Sequence, residues 1–106
     1  MSENVYQREQ LEQNQQATQP VPEGRRSLLQ IRVDILRVVM QGYGKPTQIM
    51  YKANLSWNVL QSQLKAFLET EMLTVEEYGS RRRYAITQKG IEMVKSYERV
   101  VSEILK

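Results

Sequence analysis

Residues 47–68, TQIMYKANLSWNVLQSQLKAFL, hold a short helical pattern, a break at Ala53-Asn54-Leu55-Ser56, and a second helical pattern with one apolar stripe. Asn54 suits the left-handed conformation that so tight a turn requires, and Leu55 is placed to drop into a core. Ser56 is a good N-cap for a helix from Trp57 to about Glu71. Its apolar positions Leu60, Leu64, Phe67 and Leu68 form one stripe, while Asn58, Gln61, Ser62 and Lys65 point elsewhere. Of the whole chain, this segment and the Arg81-Arg82-Arg83 run after it are what propose a chemistry.

The flanks complete a small domain. From Arg25 to about Gln41 a helix is predicted, with Leu28, Ile31, Ile35, Leu36, Val38 and Val39 on its apolar face. Gly42 and Gly44 stop it, and Pro46 suits the first turn of a helix running to Ala53, where its missing N–H is harmless. Ile49 and Ala53 face inward from that helix. After the second helix comes a hairpin with a type II′ turn at Gly79-Ser80, glycine first. That turn sets Tyr78 opposite Arg81, Glu77 opposite Arg82, Glu76 opposite Arg83, Val75 opposite Tyr84 and Leu73 opposite Ile86. The inner apolar pairs then share a face, with two opposite-charge pairs beyond them.

Thr87 caps a last helix from Gln88 to about Leu105, and Gly90 in its first turn marks a place where another backbone passes close. Val94, Tyr97, Val101 and Ile104 step by a coiled-coil spacing, and Met93, Val100 and Leu105 widen the apolar surface. Two readings are open: a helix packed on its own domain, or a dimer seam; the first half, around Ile91 and Val94, is expected to touch the domain core, and the seam is favoured because it outruns what a small domain needs.

Charge is unevenly placed. Residues 1–24 hold four glutamates against Arg8 alone; residues 25–106 hold 14 of the 15 Lys and Arg and eight of the 12 Asp and Glu, a net of +6. A basic domain favours a polyanionic partner, although the same charge also serves solubility. Residues 1–24, with six glutamines and Pro20 and Pro22, read as a disordered tail with too few apolar side chains to offset ordering entropy. The chain has no Cys and no His, so disulfides, thiolate or imidazole metal sites and imidazole general bases are excluded. An enzyme, a metal and a cofactor are therefore not expected. No apolar run approaches the ~20 residues that span a bilayer, and the N-terminus lacks a secretory pattern, so a cytoplasmic setting is the expectation.

In a nucleic-acid reading, the Trp57 helix lies in a major groove, and Asn58 and Gln61 match the donor–acceptor pair of adenine. Ser62 and Lys65 touch phosphate or base. Trp57 either stacks on sugar or a thymine methyl, or lies as a lid over Lys52 or Tyr51. Arg81, at the hairpin tip, has no carboxylate opposite and is the preferred wing contact; Arg82 and Arg83 face glutamates, in pairs worth only ~0.2–1 kcal/mol. Lys45, Lys52 and the start of the first short helix around Thr47 and Gln48 would be further phosphate anchors. The same periodicity also fits a plain three-helix core whose polar face is merely solvated.

The segments KPTQIMYKANLSW at 45–57, QLKAFLE at 63–69 and RRRYAIT at 81–87, then Gln88-Lys89-Gly90, resemble the archaeal winged helix-turn-helix family of small, roughly ten-kilodalton DNA-binding proteins. The Tyr-x-Ile-Thr-x-Lys-Gly pattern at 84–90 is shared widely among winged helices. The resemblance covers about residues 27–106. It implies an α+β winged-helix fold, duplex DNA bound through the second helix and the wing, and dimers built from C-terminal helices as an antiparallel coiled coil. It points to Trp57, Asn58, Gln61, Ser62, Lys65 and the wing arginines as DNA contacts. Two departures stand out: Lys65 is the one cation where relatives often have several, and Glu71 replaces a common glycine before the hairpin. Many winged helices instead touch partner proteins within larger assemblies, and that is the alternative function.

Overall fold

The computed structural model describes residues 26–106; the tail predicted over 1–24 lies outside them. Among the described residues the order is α1 (Leu28–Met40), α2 (Pro46–Ala53), α3 (Trp57–Glu69), β1 (Leu73–Tyr78), β2 (Arg81–Ile86) and α4 (Gln88–Ile104). Residues 31–106 form one compact unit. Ser27 starts α1 by accepting the Gln30 N–H at 3.1 Å.

Within the compact unit, Ile35, Leu36, Val38 and Val39 of α1 pack with Ile49 and Ala53 of α2 and with Leu60, Leu64 and Phe67 of α3. Leu73 and Tyr84 from the hairpin and Val94 from α4 close this core. Leu55 lies half-buried against it, as its place after the turn predicts. Two positions on α1 differ from expectation: Leu28 is exposed, and Val33 is buried.

Three helices end in the same way. After α1, α2 and α3 the chain passes through a left-handed residue: Gly42 (φ 106°), Asn54 (φ 56°) and Glu71 (φ 63°). At each, the next residue's N–H reaches back a full turn: Tyr43 to the Val38 carbonyl at 3.3 Å, Leu55 to Met50 at 3.0 Å, Met72 to Phe67 at 2.9 Å. These are Schellman closures, which satisfy the last helical carbonyls. Glycine and asparagine take that conformation readily, whereas Glu71 holds it against its own Cβ. The missing glycine thus leaves the geometry of the turn unchanged, while α3 itself stops at Glu69, two residues short of the predicted end.

The hairpin adopts the predicted register, from Leu73 opposite Ile86 to Tyr78 opposite Arg81. Gly79 takes the positive φ of 63° that a glycine-first turn needs. One charge pair differs. Arg82 meets Glu77 at 3.6 Å, but Glu76 accepts the Tyr78 hydroxyl at 2.7 Å, and Arg83 makes no ion pair with it. Strand alternation puts Tyr78 two residues along on the same face as Glu76 and Arg83, so its hydroxyl competes there for the Glu76 carboxylate.

The inner half of β2 is tied down at two points. Midway along it the Tyr84 N–H donates to the Gly44 carbonyl at 2.8 Å, and a Cβ on Gly44 would collide with the Tyr84 carbonyl oxygen. Gly42 therefore ends the helix, while Gly44 admits a strand. Past its end, Thr87 caps α4 by accepting the Gly90 N–H at 3.0 Å and donates to the Glu71 carbonyl at 2.7 Å. The Thr87 N–H bonds the Met72 carbonyl at 3.1 Å, and Lys89 donates to the Thr70 carbonyl at 2.8 Å. A Cβ on Gly90 would strike the Met72 oxygen, so the backbone expected near Gly90 is that of the α3–β1 turn. The Thr-x-Lys-Gly pattern is, physically, a clasp on the C-terminal end of α3.

Along α4 the buried positions are Gly90 and Val94. Val94, counted both in the dimer seam and in the half of the helix expected to touch the core, sits in the chain's own core at 1% exposure and is not open to a seam. Arg37 of α1 bonds Glu98 at 3.1 Å and lies 5.8 Å from the Tyr97 ring centre. Past that contact Val100, Ile104 and Leu105 are exposed. No helix among the described residues is long and apolar enough to cross a membrane.

Candidate nucleic-acid interface

At 100° per residue, Trp57, Asn58, Gln61, Ser62 and Lys65 fall within one arc of α3, and the buried Leu60, Leu64 and Phe67 occupy another. Ser56 starts the helix as predicted, accepting the Val59 N–H at 3.2 Å. Asn58, Ser62 and Lys65 are exposed and Gln61 is half-buried, so the protein's own chain leaves the arc open.

The wing and the start of α2 enclose the first part of this arc in a cleft of about 700 Å³. Lys45, Pro46 and Thr47 form one wall, Trp57 and Gln61 another, and Tyr78, Ser80, Arg81, Arg82, Arg83 and Tyr84 the wing side. Lys45 is the N-cap of α2 but makes no side-chain cap bond. The Thr47 and Gln48 N–H groups open the helix with no intrahelical partner, a place suited to an anion.

Seven of the residues singled out in the sequence thus share one cleft: Lys45, Thr47, Trp57, Gln61, Arg81, Arg82 and Arg83. Asn58, Ser62 and Lys65 lie further round or along α3, outside the cleft lining. Gln48 is half-buried in the first turn of α2. Lys52 is drawn away, its ammonium 4.6 Å from the Tyr43 ring centre, so it is not the residue beneath Trp57. Trp57 remains 46% exposed at the cleft wall.

Sequence reasoning missed Tyr78 and Ser80 in this lining. The signal for Tyr78 was present, since the predicted register already set it opposite Arg81. Its phenol pKa is raised, first by the hydrogen bond to Glu76 and then by that carboxylate's charge, against an opposing pull from Arg83.

A tight helix-turn-helix with a hairpin hung beside its second helix defines a winged-helix domain. The chain belongs to the winged helix-turn-helix family, whose sequence profile matches residues 25–105. No curated protein sequence matches it. Among solved structures it is similar to Sso10a-2, a DNA-binding protein from Sulfolobus solfataricus, at 22% identity over 76% of this chain and 86% of that one (TM-score 0.62). It is similar to AF1382 from Archaeoglobus fulgidus at 16% identity over 74% and 91% (TM-score 0.61). The homodimeric winged helix-turn-helix DNA-binding domain of Mb0332 from Mycobacterium bovis matches at 17% identity over 98% and 92% (TM-score 0.61).

Proposed function

We propose that the chain binds duplex DNA as a transcriptional regulator or chromatin-associated protein, with the polar arc of α3 in the major groove and the wing along the backbone. One observation carries this: the start of α2, the start of α3 and the three wing arginines converge on a single open cleft. Cations and helix-end N–H groups supply most of the affinity, while Asn58 and Gln61 supply sequence preference. The domain acts in the cytoplasm, on the nucleoid, and has no catalytic role. Its place is with the small archaeal DNA-binding winged helices, a reading supported by the likeness to Sso10a-2, a DNA-binding protein from Sulfolobus solfataricus.

The working form is a homodimer joined through α4. The exposed apolar residues Met93, Val100 and Ile104, with Tyr97 between them, step by four, three and four. This stripe replaces Val94 and Val101 of the predicted seam and keeps Tyr97 and Ile104. Sedimentation of the Ile104→Glu variant tests it, with a monomer expected.

A gel-shift titration against random duplex at several salt concentrations, with and without residues 1–24, tests the DNA reading. Binding should weaken steeply with salt; a binding constant indifferent to salt would defeat it. A second reading, a protein-interaction module without DNA contact, is favoured by Lys65 being the sole cation on the arc of α3. In that case random duplex is not retained at any salt concentration.

A further inference from the structure

Gln63 is a buried polar side chain on α3, 9% exposed, among the leucines that face the core. Its carboxamide oxygen accepts the Arg32 Nε–H at 2.6 Å. A guanidinium has donors and no acceptor, so the amide can be oriented in one way only, with its oxygen toward Arg32. The NH2 end therefore points away from Arg32, and it donates to Ser62 Oγ at 3.3 Å. Ser62 in turn donates its hydroxyl proton to the Val59 carbonyl at 3.1 Å, a back-bond of the kind serines make within helices.

The direction of every bond in this chain is set at its buried end. Arg32 fixes Gln63, Gln63 occupies one lone pair of Ser62, and the Val59 carbonyl takes the proton. One lone pair is left unused by these bonds, on an exposed residue of the polar arc of α3. Ser62 is thus held as an acceptor. Phosphate oxygens are also acceptors, so a phosphate contact would require breaking the Val59 bond. In the major groove the complementary groups are the exocyclic amines, adenine N6 and cytosine N4, whereas guanine O6 and N7 and thymine O4 only accept.

We infer that Arg32 and Gln63 are positioning residues that make Ser62 a reader of amino-bearing bases, adenine or cytosine on the strand it faces, and not a phosphate contact. This deepens the proposed function and rests on its DNA reading. Neither Arg32 nor Gln63 needs to touch the duplex.

The test is selection from a randomised duplex pool with the full chain, followed by sequencing, with affinity for unselected duplex measured alongside. The unmodified chain should select adenine or cytosine at the position lost on Ser62→Ala. That variant should lose roughly fivefold preference, the equivalent of one net hydrogen bond, with its salt dependence unchanged because no phosphate contact is lost. Ser62→Thr, which keeps the hydroxyl, should retain the preference, and Gln63→Met should lose part of it. If Gln63→Met does not fold, the two exposed Ser62 variants still decide. Uniform weakening of Ser62→Ala on all sequences with a shallower salt slope, or no change at any position, overturns the inference. Failure of the unmodified chain to bind any duplex defeats the DNA reading itself and this inference with it, and is seen before any variant is made.

Discussion

Lys89, in the first turn of α4, donates its ammonium to the carbonyl of Thr70 at the end of α3, 2.8 Å away. A positive group there satisfies a terminal carbonyl and meets the negative end of the helix dipole. Lys89→Ala is expected to destabilise the fold by about 0.5–1.5 kcal/mol, in the range of one such bond. Thermal melts read this against Gln88→Ala, whose side chain makes only an exposed 3.4 Å contact with Glu92. Equal melting of the two variants would show that the clasp does not need the lysine.

Glu71 holds a left-handed φ of 63° at an exposed site. Glu71→Gly removes the Cβ strain and a negative charge near the end of α3, at some cost in unfolded-chain entropy. A net stabilisation of about 0.5–1 kcal/mol is expected. Chemical denaturation measures it, and a lower midpoint for the variant would contradict the assigned geometry.

Gly44→Ala and Gly90→Ala should be the damaging glycine changes, because each new methyl meets a backbone carbonyl. Losses of about 1–3 kcal/mol or more are expected for each, as for overpacking elsewhere. Gly42→Ala has open space around it but a φ of 106°, so backbone strain makes it unfavourable for a different reason. Gly44→Ala and Gly90→Ala should broaden the hairpin amide resonances, and Gly42→Ala should not.

The wing arginines should differ in kind. If Arg81 makes the proposed phosphate contact, Arg81→Ala should lower the slope of log affinity against log salt by about 0.9 on every sequence. Glu77→Gln frees Arg82 from its 3.6 Å partner and should strengthen binding to all duplexes alike. A sequence-dependent response to either substitution would argue for base contacts by the wing.

Tyr78 should titrate above its ordinary value of 10.0, since its hydroxyl donates to the Glu76 carboxylate. A raised value favours the protonated phenol in the folded chain. The contact's contribution is therefore whole below 10.0 and is lost as pH rises through the folded value. Glu76→Gln should bring the phenol back down, followed by ultraviolet absorbance, and an unmoved titration would rule out the carboxylate as the cause.

The hairpin was legible because apolar pairs and one ion pair agree on a single register, which a one-residue slip would spoil. The Ser56 and Thr87 caps and the Asn54 turn were legible because side-chain chemistry at those positions is local. What was not legible depends on contacts distant in sequence. Gln63 has no role that its neighbours in sequence suggest, and its partner Arg32 lies 31 positions earlier. Val94 fits a dimer stripe as well as a core, and only the packing of the other elements decides. Glu76 was assigned to Arg83 by register, but the nearer Tyr78 hydroxyl takes it.

The strand β2 is fastened at Tyr84 to Gly44 and, just past its last residue, through Thr87 to the turn after α3, while the hairpin tip at Gly79 and Ser80 is exposed. Hairpin length is consequently the dimension in which this scaffold can be altered without repacking. Two residues added to each strand would extend the reach and preserve which side chains face outward; one added to each would turn the arginines over.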